Sequence, residues 1–286
     1  FADVPLGFTP HLHQEHAFAR LGGEPKRSTL VATGTGSGKT ESFLWPILSH
    51  CRAHAGTAGI KAILVYPMNA LAGDQALRLA KAIRGNPKLR GAVTAGLYVG
   101  EDEGPGRTAH AEMGADHVIT DRKFLQKHPP DILLTNYKML DYLLVRPRDR
   151  YIWEGSGAGS LRFLVVDELH TFDGAQGTDL ACLIRRLKAH LHVQPGQLCC
   201  VGTSATLGGD AAGVRLRSYA QQVFGEPFDA KSVVSEARLD LDAFRGDTVI
   251  RYFQAPGPGQ REALDPSRYE GPFAFSLAQA RLWLDT

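Results

Sequence analysis

The sequence contains no apolar run close to the roughly 20 residues that a membrane-spanning helix requires. The N-terminus shows no pattern typical of a signal peptide, so we expect no membrane partner. There are only four cysteines, and none of them forms a CxxC pair, which argues against a zinc site. Cys199 and Cys200 lie in an apolar run that favours buried, reduced thiols over metal ligands. This use of cysteine predicts a cytoplasmic protein.

The chain also lacks a strong charge of either sign. The formal net charge is only +2, so any nucleic-acid-binding surface must be local rather than spread over the whole molecule. The composition, with 43% hydrophobic and 22% charged residues, is typical of a soluble globular protein. The first residue is Phe1 rather than Met, which predicts that the chain is part of a longer protein.

Short apolar segments alternate with longer amphipathic ones from about residue 28 to residue 207. Most of the apolar segments are continuous rather than alternating, as is typical of strands buried on both faces of a parallel sheet. The predicted strands are Thr29–Thr33, Ala62–Tyr66, Val93–Tyr98, Ile132–Thr135, Phe163–Val166 and Leu198–Thr203. The predicted helices are Lys39–Ala53, Asn69–Ile83, Tyr137–Leu144, Gly174–Leu191 and Ala211–Phe224. This order predicts a doubly wound α/β fold with ligands at the carboxyl ends of the strands.

Two segments interrupt this alternation, and both are predicted to be loops: Gly100–Ala115 and Arg146–Ser160. The alternation fades after about residue 225. We therefore predict one domain over residues 1–228 and an accessory segment, or the start of another domain, over residues 229–286. Within that segment the sequence predicts a strand at Thr248–Phe253, a linker around Ala255–Gly259 and a helix at Ser276–Leu284.

A glycine-rich segment, residues 34–40, follows the first predicted strand and begins a helix, which is the setting that a P-loop requires. Glycines allow backbone N–H groups to point at phosphate oxygens, and the helix N-terminus adds a favourable dipole. Lys39 would reach the β- and γ-phosphates of ATP, and the Thr40 hydroxyl would bind Mg²⁺. The strict pattern has Gly at the position of Thr33. The predicted phosphate-binding residues are Thr35, Gly36, Ser37, Gly38, Lys39 and Thr40.

The apolar strand Phe163–Val166 is followed by two acids, Asp167 and Glu168. Adjacent carboxylates at the end of a buried strand are costly unless they are paired, and a divalent cation would resolve that cost. We predict that Asp167 holds Mg²⁺ opposite Thr40. Glu168 would orient the water that attacks the γ-phosphate. Asp167, Glu168 and Lys39 are therefore the predicted catalytic residues, and a solvated turn is the alternative.

The tetrapeptide Asp167-Glu168-Leu169-His170 resembles the DExH form of the Walker B motif in superfamily 2 helicases. About 35 residues later, Thr203-Ser204-Ala205-Thr206 resembles the Ser-Ala-Thr motif of the same family. The resemblance implies a RecA-like P-loop NTPase fold. It also implies that His170, Ser204 and Thr206 couple the nucleotide site to a nucleic-acid-binding surface.

Further segments resemble helicase motifs that contact the base or the nucleic acid. Gln14 resembles the glutamine of the Q motif, which hydrogen-bonds the adenine edge, although a surface glutamine is the alternative. Asn69, the pair Thr135-Asn136, and Gly100 resemble motif Ia, motif Ib and the glycine contact between them. Helix N-termini at such positions offer N–H groups to phosphates, and plain caps and turns are the alternative. Contacts of this kind carry little sequence preference.

Longer stretches resemble one branch of the family, the MrfA-like and Lhr-like helicases, which act in DNA repair. The matching runs are Ala32–Phe43, Tyr66–Gln75, Pro130–Leu144 with Arg146-Pro147, and Asp167–Gly177 into Arg185-Arg186-Leu187. Similar motors occur in the anti-phage systems DISARM and Druantia and in the Dpd DNA-modification system. The resemblance implies that Phe172, in the long loop after the DExH box, approaches DNA. The basic run Arg185–His190 is either a DNA or accessory-domain contact or a solvated face.

The resemblance thus implies an ATP-dependent DNA helicase or translocase that uses ATP and Mg²⁺. The implied partners are DNA, as a single strand or a tailed duplex, a second RecA-like lobe, and partner proteins of a defence system. The second lobe and its arginine finger are not in this sequence, so we expect the chain alone to be nearly inactive. An RNA helicase of the DExH type and a non-catalytic scaffold are the alternatives, and the choice between repair and defence stays open.

Overall fold

The computed structural model describes Val4 and residues 6–34, 36–100, 109–205, 210–236 and 265–284. The strands are β1 Thr29–Ala32, β2 Ala62–Tyr66, β3 Ala95–Tyr98, β4 Ile132–Asn136, β5 Phe163–Val166, β6 Cys199–Ser204 and β7 Val233–Ser235. The helices of the same unit are α1 Leu12–Gly22, α2 Lys39–Ala53, α3 Asn69–Gly85, α4 Arg122–Lys127, α5 Tyr137–Val145, α6 Gly174–His190 and α7 Asp210–Phe224.

The seven strands form one sheet in the order β3-β4-β2-β5-β6-β1-β7. Every pairing between neighbouring strands is parallel. Parallel neighbours need crossover connections, and here helices α2, α3, α5, α6 and α7 supply most of them. The predicted doubly wound parallel α/β sheet is confirmed.

Both faces of the sheet are covered, which explains the continuous apolar strands. On β2, Ile63 and Val65 belong to one core cluster, together with residues of α5, α6 and α7. Leu64 and Tyr66 belong to the other, together with residues of α1, α2 and α3. Alternate residues of a strand point to opposite faces, so a strand between two helix layers buries every side chain.

The sequence prediction missed some elements and shifted others. Helix α1 escaped it because the buried side of α1 includes the polar residues His13 and Gln14, which hides its apolar period. Strand β3 begins after the predicted Val93, whose N–H donates to the Leu89 carbonyl in a preceding turn, 3.0 Å away. Within the predicted loop Arg146–Ser160, the structure has a 3-10 helix at residues 147–153.

Strand β7, Val233–Ser235, pairs with β1. The sheet of the first unit therefore extends beyond residue 228, where the domain boundary was predicted. The first compact unit runs to Ala237. In the second unit the described residues form a 3-10 turn, Pro266–Arg268, and helix α8, Pro272–Leu284, where a helix was predicted. The strand predicted at Thr248–Phe253 and the linker after it lie outside the described residues.

A buried ion pair joins three strands at the amino edge of the sheet. Lys61, 2% exposed, donates from Nζ to Asp131 Oδ1 over 2.7 Å. The other carboxylate oxygen of Asp131 accepts from Thr94, from its backbone N–H at 2.7 Å and its hydroxyl at 3.0 Å. Lys61, Asp131 and Thr94 directly precede β2, β4 and β3. The ion pair and its hydrogen bonds therefore hold the starts of the three strands together.

Cys199 and Cys200 are buried, at 2% and 0% exposure, as predicted. Burial raises the pKa of Cys199 to about 12, so its thiol stays protonated at neutral pH. Among the described residues, no three His, Cys, Asp or Glu side chains group as metal ligands. Within the same residues, no helix combines the length and apolar character needed to cross a bilayer.

His50 makes the stability of this fold depend on pH. Burial lowers its pKa to about 3, and the positive charges of His54, Lys26 and Arg162 add to the effect. The folded-state pKa therefore lies below the unfolded value of about 6.5. The unfolded chain binds more protons between these two values, so the contribution of His50 is complete above about pH 6.5 and is lost progressively toward about pH 3.

We expect the free energy of unfolding to fall less steeply between about pH 7 and about pH 5 in the His50→Gln variant than in the unchanged protein. Urea denaturation at both pH values measures this difference. Equal pH dependence in the two proteins would show that His50 is not the responsible group.

Candidate nucleotide and nucleic-acid sites

Three neighbouring strands, β5, β6 and β1, carry the predicted nucleotide-binding residues at their carboxyl ends. The phosphate loop follows β1, the acids follow β5, and Ser204 is the last residue of β6. Because neighbouring parallel strands lie about 4.8 Å apart, residues far apart in the sequence share one edge of the sheet.

The phosphate loop has the backbone that its glycines predict. Gly36 and Gly38 have φ values of 80° and 83°, in the left-handed region that favours glycine. The Ser37 hydroxyl donates to the Gly34 carbonyl at 2.8 Å, which closes the turn. Lys39 Nζ donates to the Thr33 carbonyl at 3.0 Å. Thr40, in the first turn of α2, is partly exposed, and Thr35 lies outside the described residues.

Gln14 connects helix α1 to this loop. Its side-chain Nε2 donates to the Gly38 carbonyl at 3.1 Å, and its Oε1 accepts from the His11 N–H at 2.9 Å. A Cβ atom added at Gly38 would lie 2.4 Å from Gln14 Nε2, so a larger residue there would displace the Gln14 side chain. Gln14 is 2% exposed. Its observed partners are thus protein groups, and adenine recognition stays a prediction.

His13 is a buried imidazole beside the loop that the sequence prediction did not select. It is 5% exposed, and its Nε2 has no hydrogen-bond partner among the described residues. Burial lowers its pKa, as does the charge of His11, whose ring stacks on it at a centroid distance of 5.6 Å. The sequence feature that could have identified His13 is its position directly before Gln14.

Thr203 holds the two acids together, and the sequence prediction did not assign it a role. Its hydroxyl donates to Asp167 Oδ1 at 2.5 Å and accepts from the backbone N–H of Glu168 at 2.8 Å. Asp167 is 7% exposed. Burial raises the pKa of Asp167, while the Thr203 hydrogen bond and the charge of Lys39 oppose this rise. The sequence feature that could have identified Thr203 is its position directly before the Ser-Ala-Thr tripeptide.

Glu168 has an unusual backbone, with φ 50° and ψ 48°. A residue other than glycine in this region is held there by its surroundings. Here the hydrogen bond to Thr203 fixes its N–H, and its carbonyl accepts from the Thr171 N–H at 2.8 Å. The carboxylate, 29% exposed, lies 3.4 Å from the His170 imidazole.

His170 lies between the DExH box and the end of β6. Its Nδ1 is 3.4 Å from Glu168 Oε2 and 3.4 Å from the Ser204 hydroxyl. Both contacts are long for hydrogen bonds, yet they place the imidazole between the two motifs that it is predicted to couple. Thr206 lies outside the described residues.

The residues predicted to hold Mg²⁺ have suitable chemistry. Mg²⁺ prefers hard oxygen ligands and usually combines one or two carboxylates with waters and substrate phosphates. The buried Asp167 carboxylate, the Thr40 hydroxyl and the phosphates of a nucleotide form such a set. The raised pKa of Asp167 shows that its ionised form is destabilised by burial, which a nearby cation would reverse.

The predicted nucleic-acid contacts lie at the ends of β2, β4 and β3, the other half of the same edge. Asn136 Nδ2 donates to Asn69 Oδ1 at 2.5 Å. Thr135 is fully buried, and its hydroxyl donates to the Tyr98 carbonyl at 2.6 Å. Gly100 is close to Asn69, since a Cβ at Gly100 would lie 3.8 Å from Asn69 Nδ2. The structure therefore brings these residues together, with Thr135 in a positioning role.

Asn136 also caps helix α5. Its Oδ1 accepts from the Met139 N–H at 2.7 Å, the bond expected of an N-terminal cap. Asn136 can cap the helix and still be available to nucleic acid, because Asn69 and Asn136 are both partly exposed.

Phe172 does not have the position that the resemblance implies. Its side chain is 2% exposed, and its ring packs edge-on against Tyr137 at a centroid distance of 5.6 Å. The Phe172 carbonyl accepts a hydrogen bond from the Tyr219 hydroxyl. The ring therefore anchors the loop after the DExH box to the core instead of approaching DNA, because its apolar surface is better buried.

The basic run on α6 is bound within the protein. Arg185 donates to the Gln222 carbonyl at 3.1 Å, and Arg186 pairs with Asp141 at 2.6 Å. Lys188 pairs with Glu226, whose side chain is fully buried, at 2.5 Å. These contacts connect α6 to its neighbours, which favours a structural role for the run.

Comparison with known proteins identifies the family. The DEAD/DEAH box helicase model matches residues 11–213. The Druantia protein DruE of Escherichia coli (strain UMEA 4076-1) is 30% identical over 308 aligned residues, covering 76% of this chain and 17% of DruE. The ATP-dependent helicase Lhr-Core of Methanothermobacter thermautotrophicus is 28% identical, covering 63% of this chain and 20% of that protein. The chain thus spans no more than a fifth of these two relatives.

Solved structures show the same fold. The DUF1998 helicase MrfA superposes with a TM-score of 0.57 and 26% identity, over 82% of this chain and 31% of MrfA. A second structure of MrfA, bound to DNA and AMPPNP, superposes with a TM-score of 0.56 and 25% identity, over 78% of this chain and 26% of that one. The helicase Mss116 reaches 0.59 at 18% identity, covering 81% of this chain and 41% of Mss116, a likeness of fold alone.

The family model covers most of the described RecA-like unit and includes both the phosphate loop and the DExH box. Helicases of this kind bind ATP and hydrolyse it in a nucleic-acid-dependent manner. The chain therefore belongs to the DEAD/DEAH box helicases of superfamily 2, within the branch that includes MrfA, Lhr and the Druantia protein DruE.

Proposed function

We propose that the chain is the ATP-binding lobe of a DNA translocase or helicase from a DNA repair or anti-phage defence system. The observation that carries this proposal is the division of one sheet edge into two adjacent clusters. The ends of β1, β5 and β6 hold Lys39, Asp167 and Glu168, and the ends of β2, β3 and β4 hold Asn69, Gly100 and Asn136. A motor needs the two sites to be coupled, and here they are neighbours on one rigid element.

The relatives support DNA as the polynucleotide and defence as the setting. MrfA, at 25% identity, was solved bound to DNA and AMPPNP. The relative at 30% identity is a Druantia protein. For this chain both statements are proposals, because it spans only a small part of each relative.

In the proposed reaction, the backbone N–H groups of the phosphate loop and the Lys39 ammonium bind the phosphates of ATP. Asp167 and Thr40 would hold Mg²⁺, which neutralises charge on the phosphate oxygens. Glu168 orients the attacking water and accepts its proton. Gln14, which already contacts the loop, would bind the adenine edge.

Thr203 positions both acids for this chemistry. Its hydroxyl fixes the Asp167 carboxylate and the Glu168 N–H, so the metal-binding and water-orienting groups move together. Thr203 is on β6, whose last residue, Ser204, is close to His170. We infer that this connection, together with Thr206, transmits the state of the nucleotide to the polynucleotide surface.

DNA would cross the N-termini of α3 and α5, where Asn69 and Asn136 lie. Free N–H groups and positive dipole ends favour phosphates at these positions. A second RecA-like lobe would supply the arginine finger and close the nucleotide site, and proteins of a defence system would be further partners.

Lys39→Ala and Glu168→Gln, made in the full-length protein, should each lower DNA-stimulated ATP turnover by at least about a hundredfold, because they remove the phosphate-binding cation and the general base. Steady-state phosphate release measures this. Lys81→Ala, which removes an exposed lysine of α3, is the matched control. Normal turnover in both site variants would defeat the site assignment and favour a non-catalytic scaffold. Stimulation by RNA but not by DNA would point to an RNA helicase.

Thr203→Val should lower kcat for ATP about tenfold or more, because it removes a hydrogen bond to a charged group while keeping the shape of the side chain. Thr203→Ser keeps the hydroxyl and should retain most of the activity. Since the substitution acts on the acids rather than the phosphate loop, the affinity for a non-hydrolysable ATP analogue should change less than kcat. A kcat equal to that of the unchanged protein would show that Thr203 does not position the acids.

The chain of residues 1–286 by itself should hydrolyse ATP about 10³–10⁵-fold more slowly than the intact helicase, because it has no arginine finger from the second lobe. A single-turnover assay with excess chain measures the slow rate. Turnover comparable to that of the intact protein would contradict this expectation.

A further inference from the structure

The structure shows a surface of four basic and two tyrosine side chains that the proposed function has not used. It consists of the outer side of α5 and of the 3-10 helix that follows, and we call it the Arg–Tyr surface. Tyr142 and Tyr151 are 46% and 45% exposed, unusually open for large aromatic side chains. Its members are Lys138, Tyr142, Arg146, Arg148, Arg150 and Tyr151.

Helical spacing aligns the first part of this surface. Lys138 and Tyr142 are four residues apart on α5 and so share one face, opposite the buried Met139, Leu140 and Leu143. Arg146, directly after the helix, turns back over Tyr142 with its guanidinium carbon 3.9 Å from the ring centroid. At this distance the guanidinium contacts the face of the Tyr142 ring.

A second pair repeats the arrangement on the 3-10 helix. The Arg150 guanidinium carbon lies 4.8 Å from the Tyr151 ring centroid, and one of its nitrogens donates to the Tyr151 hydroxyl at 2.8 Å. Arg148 lies between the two pairs with a side chain 70% exposed. Trp153 fastens the 3-10 helix to α5 by donating from its indole N–H to the Leu143 carbonyl at 2.9 Å.

The surface carries four basic side chains, and two of the acids near it are engaged within the protein. Asp141 pairs with Arg186 at 2.6 Å. Asp149 is 1% exposed, and its Oδ1 accepts from the Tyr98 hydroxyl at 2.8 Å and from Gln126 at 2.7 Å. Glu154, at the end of the 3-10 helix, and Asp179, which lines a cavity together with Lys138 and Tyr142, are exposed acids near the surface.

The surface is continuous with the proposed DNA contacts. Helix α5 begins directly after Asn136, and Asn136 caps it. From Asn136 to Arg146 the helix rises about 15 Å, at 1.5 Å per residue. A strand that continued from the N-terminus of α5 along the helix would meet Lys138 first, then the Tyr142–Arg146 stack, and then the 3-10 helix.

We propose that the Arg–Tyr surface is a further contact for single-stranded DNA, beyond the strand-end cluster of Asn69, Gly100 and Asn136. This inference rests on the proposed function. A guanidinium stacked on a ring keeps its in-plane N–H groups for phosphate oxygens. Exposed aromatic rings between cations provide the stacking positions that single-stranded nucleic acid uses without sequence preference. A duplex has its bases stacked inside and would use the cations alone.

The test measures binding of a fluorescein-labelled oligothymidylate strand to the full-length protein, by fluorescence anisotropy, from about 50 to about 200 mM salt. Arg146→Ala should weaken binding and lower the slope of log affinity against log salt by about one phosphate contact. Tyr142→Ala should weaken binding at least about fivefold, the lower end for loss of one stacked base, with little change in the slope. A blunt duplex probe should be less sensitive to Tyr142→Ala than the single strand.

Arg90→Ala is the matched control. Arg90 is exposed and lies before β3, at the amino edge of the sheet, where its side chain donates to the Arg84 carbonyl at 2.9 Å. This variant should bind the strand like the unchanged protein. Circular dichroism melting of each variant checks that the fold is intact.

The outcomes separate this inference from the proposed function. An unchanged protein that binds no DNA and shows no DNA-stimulated ATP turnover would overturn the proposed function itself. Normal DNA binding and turnover, with Arg146→Ala and Tyr142→Ala indistinguishable from Arg90→Ala, would overturn only the Arg–Tyr surface. If Arg146→Ala and Tyr142→Ala lower the melting temperature of the full-length protein but leave its DNA affinity unchanged, the DNA-binding role of the surface is also overturned. The surface would then have a structural role, such as a contact between domains.

Discussion

Parallel pairing of every strand in the described sheet is the constraint on which the rest of the molecule depends. It brings the carboxyl ends of all strands to one edge, where loops and helix N-termini collect. The strand order then divides that edge into two neighbouring clusters. One half collects a phosphate loop and two acids, and the other collects the two hydrogen-bonded asparagines. A sheet with antiparallel members would send some of these loops to the opposite edge.

The same edge concentrates the polar groups that a folded protein has difficulty burying. Asp167 is nearly inaccessible, and burial raises its pKa. Glu168 has a left-handed backbone that few residues other than glycine adopt. The Thr203 hydroxyl contacts both residues and so reduces the penalty of each. Strain and incomplete charge compensation at one point of an otherwise regular sheet are typical of a site kept for chemistry.

Local sequence predicted the parts of this molecule that depend on local patterns. The continuous apolar strands predicted the parallel sheet, and the glycines at positions 36 and 38 predicted the turn that they form. Contacts between distant segments were not visible in the same way. Thr203 meets Asp167 only because β6 pairs with β5, and helix α1 buries polar residues that hide its period. The family resemblance implied a DNA contact for Phe172, but the fold turns its ring inward.

The ion pair between Lys61 and Asp131, with Thr94 as its third member, has a consequence for how the fold tolerates change. It fixes the relative alignment of β2, β3 and β4 at the edge opposite the loops that bind ligands. A buried pair of this kind is strongly destabilising to break, so alignment errors are penalised there, far from the chemistry. The loops at the opposite edge are therefore not needed to hold these three strands in register. Changes in the length or composition of those loops should leave the alignment of β2, β3 and β4 intact.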